Sequence, residues 1–142
     1  MDFGEYEQFI LKKFDSWTLF LHRAQYPYLG RSYAWSNRDE ANIVENMNSS
    51  EREELFNLVL PEWGNAVNKL SPYDRTNLSC FGNTPPHLHW HLIPRSNNPR
   101  IWNGLTFDDP NPRGNYVPHP KRKFSLDLLL EIKEEMISAL KG

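Results

Sequence analysis

Residues 87–95 read His87-Leu88-His89-Trp90-His91-Leu92-Ile93-Pro94-Arg95, with imidazole and apolar side chains in strict alternation. In an extended strand, successive side chains point to opposite faces. His87, His89 and His91 therefore share one face, and Leu88, Trp90 and Leu92 share the other. The apolar set has an obvious destination in a core. The segment just upstream, about Arg75 to Phe81, repeats the division, with Asn77 and Ser79 against Leu78 and Cys80. Antiparallel pairing of the two strands through the Gly82–Pro86 connection would make one side apolar and collect Asn, Ser and three His on the other. A concentrated polar face on central strands is costly unless satisfied or solvated, which makes it a candidate site.

Three readings of the histidines compete. Viewed singly, each reads as a core residue with its own hydrogen-bond partner, although three in alternation would need three such partners. A second reading is a metal site, since imidazole is a common zinc ligand. With a rise of ~3.3 Å per residue, His87 and His91 stand about 13 Å apart at the backbone, so one ion recruits a neighbouring pair more readily than all three. No CxxC or HExxH element completes such a site. The third reading is nucleophilic catalysis at phosphorus. A neutral imidazole is a competent nucleophile near neutral pH, and the middle ring, His89, has a ring on each side to serve phosphoryl or leaving-group oxygens.

Working outward, apolar residues at Phe3, Tyr6, Phe9, Ile10 and Phe14 have a helical period. Ser16 to Arg23 and Arg31 to Ser36 read as strands joined through the turn residues of Tyr26–Gly30. Glu40 to Asn46 reads as a short helix. A longer one follows, with Ser50 and Glu53 as a capping box and Leu55, Val59, Trp63, Val67 and Leu70 as its apolar stripe. Pro61 lies within the stripe and predicts a kink or a late start. Residues 96–124 hold five Asn, five Pro and two Gly and read as an irregular segment. A C-terminal helix over about 125–141 is capped by Ser125, with Leu129, Ile132, Met136 and Leu140 on one face. The pattern is α+β, an antiparallel sheet with helices packed on it, in one domain spanning 1–142.

The 142 residues suit a single core, and 39% hydrophobic with 24% charged residues is a globular balance. A formal charge of −2 argues against a polymeric nucleic-acid partner and leaves room for a small anion. One cysteine, Cys80, excludes an internal disulfide framework; it reads as a small buried hydrophobe. No charged-then-apolar leader and no apolar run near ~20 residues is visible, so a soluble, cytoplasmic protein is expected, without membrane association.

At the histidine strand the sequence resembles the histidine-triad superfamily, whose mark is His-φ-His-φ-His-φ-φ with φ hydrophobic. His87 to Ile93 satisfies every position, and Pro94-Arg95 also matches. Upstream, Gly82-Asn83-Thr84-Pro85-Pro86-His87 resembles a Gly-Gln-[Ser/Thr]-x-x-His element, with Asn for Gln and two prolines that remove backbone donors. The longer string GNTPPHLHWHLIPR looks most like bacterial diadenosine tetraphosphate hydrolase-type members. The likeness is strong over about 75–100 and looser over 16–75.

The resemblance implies a histidine-triad fold with a sheet of about five strands, usually in a homodimer. It implies purine-nucleotide substrates and a nucleotidyl-histidine intermediate. Carried over by position, His89 is the nucleophile and His87 and His91 support it. Gly82, Asn83 and Thr84 match the phosphate loop, and Asn77 or Ser79 supplies a further polar contact. The expected activity is hydrolysis or nucleotidyl transfer at the α-phosphorus of a dinucleoside polyphosphate. The alternatives are a phosphoramidate or adenylate hydrolase and a non-catalytic nucleotide-binding module. No tightly bound cofactor or protein-held metal is expected; Mg²⁺ would travel with the polyphosphate.

Several residues outside the strand remain open. Arg95 and Arg100 flank its exit. Lys121-Arg122-Lys123 is the densest basic run and reads as a solvated turn before a helix. Trp102, Phe107 and Tyr116 serve either a nucleobase or the anchoring of their own segment. His22 and His119 read as structural, and Leu21 to Tyr28 as a pocket wall by resemblance.

Overall fold

In the computed structural model, which describes residues 2–141, the histidine strand β5 (His89–Arg95) lies between β3 (Ser32–Ser36) and β4 (Arg75–Ser79). With β1 (Ile10–Lys13) and β2 (Trp17–Leu21) they make a five-stranded antiparallel sheet in the order β1-β2-β3-β5-β4. The register lines up Leu19 with Ala34, Ala34 with Trp90, and Leu92 with both Ser32 and Leu78. One face is therefore apolar from β2 to β4, as the alternation requires. The opposite face carries Phe20, Tyr33 and Trp35, then His89, His91 and Ile93, then Asn77 and Ser79.

A continuous helical run covers the apolar face: α1 (Ser49–Glu54), a π-helical turn (Leu55–Val59) and α2 (Leu60–Leu70). Leu55, Val59, Trp63 and Val67 are all fully buried. Trp63 also donates its indole N–H to Ser32 Oγ at 3.0 Å, tying helix to sheet. The π turn sits immediately before Pro61, so the missing amide donor is absorbed by wider hydrogen bonding and not by a late start. The capping box lies two residues before Ser50 and Glu53: Asn48 accepts from the Glu51 amide, and Glu51 Oε1 accepts from the Asn48 amide. Glu51 is buried, and Ser36 Oγ and Arg38 supply the donors that a buried carboxylate needs. Burial raises its pKa, but those hydrogen bonds prevail and hold it below the usual range.

The N-terminal expectation of a helix fails. Gly4–Phe9 is a 3-10 turn and Ile10–Lys13 is strand β1. The pairing of Ile10 with Phe20 and Lys12 with Leu19, across a bulge, overrides the local period. The short helix expected over 40–46 is reduced to a 3-10 turn at Val44–Asn46.

The Asn/Pro-rich segment also contains regular structure. β6 (Arg100–Trp102) and β7 (Leu105–Phe107) form a hairpin. Its two-residue loop is Asn103-Gly104, both at positive φ (51° and 74°). That is the backbone shape a tight hairpin demands and that Asn-Gly adopts with least strain. Trp102 and Phe107 are buried in the main core, and Tyr116 packs with Tyr28 and Ile93. All three aromatics anchor the segment. Helix α3 (Leu126–Lys141) closes the domain, with Ser125 Oγ accepting from the Leu128 amide. Among the described residues, no helix is long and apolar enough to cross a membrane.

Candidate active site

The polar face of β3 and β5 opens into a cleft of about 570 Å³ lined by His89 and His91, with Tyr33, Phe20, His22 and Thr84 around them. His89 is 6% exposed. Its Nδ1 lies 2.7 Å from the carbonyl oxygen of His87, two residues back on its own chain. A carbonyl oxygen only accepts, so Nδ1 carries the proton and Nε2 keeps its lone pair. The arrangement leaves one ring nitrogen of a cleft-lining imidazole, in a fixed tautomer, with a free lone pair.

His87 is held by two contacts. Its Nε2–H donates to the Ser36 carbonyl at 2.8 Å, and its ring stacks on Trp35 with centroids 4.1 Å apart and planes 15° from parallel. Trp35 also stacks on His89 at 5.6 Å. Trp35 thus supports two of the three imidazoles from the neighbouring strand, where its register partner is His89. Composition and motif gave no sign of it, because the contact arises from strand pairing.

His91 stands 5.2 Å from His89, centroid to centroid, and 6.0 Å from His22. Its buried Nδ1 has no hydrogen-bond partner among the described residues. Desolvation, reinforced by the electrostatic influence of the neighbouring His89 and Arg31 side chains, pushes its pKa down to about 4. His22 is pushed further, to about 3, by burial and then by Arg31, His91 and His119. The Ala24 amide donates to its Nδ1 at 3.0 Å. His22, which the sequence suggested was structural, is part of the cleft wall.

These depressed values have a consequence for stability. Both lie below the ordinary 6.5, so between pH 6.5 and about 4 the unfolded chain binds protons that the folded chain refuses. The stabilisation is complete above pH 6.5 and is lost as pH falls. Thermal melts from pH 7 to 4.5 are expected to show a decline on the order of a few kcal/mol. His22→Gln should flatten it; a wild-type melting temperature constant over that range would rule the coupling out.

The remaining sequence candidates fall in different places. Thr84 reaches the cleft, whereas Gly82 and Asn83 precede it in the same loop without lining it. Gly82 has φ +64°, a left-handed conformation that disfavours any side chain. Asn77 is outside the cleft: its carboxamide oxygen accepts from Arg95 at 2.9 Å. Ser79 pairs with His91 in register, but its hydroxyl is engaged by the Tyr116 hydroxyl at 2.8 Å. Arg95 and Arg100 are both buried. Arg95 is paired with Asp109, and Arg100 donates to the carbonyls of Leu29 and Ser71, so neither faces the triad. Cys80 is half-buried, and burial raises its thiol pKa. Among the described residues, no group of three or more His, Cys, Asp or Glu is arranged to hold a metal ion.

No protein-family model matches the chain, and no curated protein matches its sequence. Solved structures do match. A histidine triad protein from Marinobacter aquaeolei VT8 is 15% identical with a TM-score of 0.72, over 98% of this chain and 96% of its own. One from Bradyrhizobium japonicum is 15% identical with a TM-score of 0.68, over 99% and 95%. A zinc-bound histidine triad family protein from Mycobacterium smegmatis is 14% identical with a TM-score of 0.59, over 94% and 84%. At these identities the likeness speaks for architecture, and it spans nearly the whole chain. The chain therefore has the histidine-triad fold.

Proposed function

We propose that this chain is a nucleotide hydrolase or nucleotidyltransferase acting at the α-phosphorus of dinucleoside polyphosphates of the diadenosine tetraphosphate type. The reaction runs through a nucleotidyl group carried on His89. The hydrogen bond from His89 Nδ1–H to the His87 carbonyl carries this reading, because it commits Nε2 to the attacking role. The Nε2 lone pair forms the N–P bond while the P–O bond to the bridging oxygen breaks, its electron pair leaving with the polyphosphate. The charge gained by the ring is shared with the Nδ1–H···O=C bond. Water then attacks phosphorus, the N–P electron pair returns to Nε2, and the proton of the water passes to solvent.

The state of His91 bears on the leaving group. A ring held at a pKa of about 4 is neutral at pH 7 and is a poor cationic acid in the free protein. A polyphosphate departs as a stable anion without a proton, whereas the amine of a phosphoramidate needs one. The anhydride substrate is thereby favoured over the phosphoramidate alternative. In this reading Thr84, with the Gly82-Asn83 backbone before it, contacts the phosphoryl oxygens, and Mg²⁺ accompanies the polyphosphate. The protein works in the cytoplasm as a homodimer, for which β4 at the sheet edge is a suitable joining strand.

Intact-protein mass spectrometry after brief mixing with labelled diadenosine tetraphosphate tests the mechanism. One adenylyl group on His89 is expected, and it should be lost in His89→Ala. Turnover without any protein-bound label would overturn the covalent route, and tight binding without turnover across a nucleotide panel would indicate a binding module instead.

A further inference from the structure

A second cavity, of about 490 Å³, adjoins the triad cleft and shares His22 with it. Arg31, His119, Lys121, Arg122 and Lys123 line it, and no acidic residue does. Arg31 is the telling member. It is 7% exposed, yet its guanidinium has no acidic partner among the described residues, and its buried Nε has no hydrogen-bond partner there. Among the described residues its polar side-chain contact is with another base: Nη1 donates to His119 Nε2 at 3.4 Å, His119 Nδ1–H being used on the Pro120 carbonyl. The Tyr116 ring, 5.4 Å away, offers it only a π face.

A buried guanidinium without a counter-charge is costly, and the usual remedy is an anion. The fold nevertheless holds it firmly. The fully buried Gln25 carboxamide donates to the carbonyls of both His22 and Arg31 and accepts from the Gly30 amide, fixing this connection. Lys121 and Lys123, both exposed, form no ion pair among the described residues. The other cations nearby are occupied: Arg23 is paired with Glu5, and Arg122 packs on Tyr26 and Phe124.

We propose that this pocket, with Arg31 at its base and Lys121 and Lys123 at its mouth, is the subsite for the polyphosphate tail of the substrate. The inference rests on His89 attacking the α-phosphorus. His22 stands beside His91 and belongs to both cavities, so a phosphate chain leaving the triad enters the basic pocket next. One phosphoryl group would not use so many cations, whereas a chain of two or three further phosphates would. The substrate class is thus narrowed to nucleotides with an extended phosphate chain. The tail also raises the usefulness of a neutral His91, since the pocket stabilises the departing anion in place of a proton.

Inorganic tripolyphosphate serves as the probe, titrated calorimetrically into the full chain. Lys121→Ala/Lys123→Ala is expected to weaken its binding about tenfold or more. Lys133→Ala/Lys141→Ala, which removes equal charge from α3, should bind as wild type. The ratio of kcat/KM for diadenosine tetraphosphate to that for adenosine 5′-phosphoramidate, which lacks a tail, should fall by a similar factor in the first variant. Absent wild-type binding, equal weakening in both double variants, or an unchanged ratio would each overturn the proposal. The His89 reading fails separately, through the missing adduct, and tripolyphosphate binding would still be decided by the pocket variants.

Discussion

His89→Ala is expected to lower turnover by on the order of 10⁴-fold or more while leaving nucleotide affinity within a few-fold of wild type. The size follows from the proposed role of His89 as nucleophile. Without the imidazole there is no N–P bond, and water must attack the phosphorus in one step from a cleft not arranged to activate it. Affinity is spared because the cleft walls, Phe20, Tyr33 and Thr84 among them, remain in place. The ring removed is small and at the floor of an open cleft, so the fold should tolerate its loss. Steady-state kinetics and equilibrium binding on the same preparation give both numbers. A variant that keeps even a tenth of the wild-type rate would remove His89 from the mechanism.

The largest effect on stability is expected from Asp109→Ala. Arg95 and Asp109 form a buried two-bond pair, at 2.6 Å and 3.1 Å. The same guanidinium also donates to Asn77 and to the carbonyls of Gly114 and Asn111. This clamp fastens the stretch that follows β7 to the end of β5. Removing the carboxylate strands a buried cation, which typically costs 3–5 kcal/mol, or roughly 10–20 °C in melting temperature for a domain of this size. Arg95→Met/Asp109→Leu should recover a substantial part by removing both charges together. A single variant melting within about 2 °C of wild type would show that the clamp is not stabilising.

Several features of the site were legible in the residue order. Alternation puts the imidazoles opposite Leu88 and Leu92, and pairing bears this out for His89 and His91, which lie opposite Trp35 and Ser79. His87 falls in the bend before β5, outside the cleft lining, and is held by stacking on Trp35. The β6–β7 hairpin departs from the irregular reading of residues 96–124: Asn103-Gly104 between short apolar runs carries a local hairpin signal, which the surrounding prolines and asparagines outweigh in composition. The capping box missed by two residues because Asn48/Glu51 and Ser50/Glu53 both satisfy the spacing. Burial of Glu51 against Ser36 and Arg38 chose between them.

Other residues took their roles from partners distant in the chain. Arg95 and Arg100 flank the exit of the histidine strand in sequence, but Asp109 and the Leu29 and Ser71 carbonyls engage them in the fold. The Lys121–Lys123 run is exposed, as a solvated turn before a helix should be, and the tertiary structure also sets it beside Arg31, some ninety residues earlier. Trp35 and His22 had no motif to announce them.

The division has a physical basis. Side-chain alternation, turn conformation and helix capping depend on a residue and its neighbours within a few positions, so the order of residues 89–93 suffices to place His89 and His91 on one face. Which proton sits on His89, what stacks on His87, and which cations lack a counter-charge depend on strand register and on how the connections pack over the sheet. Those contacts form only when the chain closes, and no local preference encodes the partner. Sequence alone therefore carries the triad and its strand, while the tautomer, the Trp35 support and the basic pocket belong to the tertiary structure.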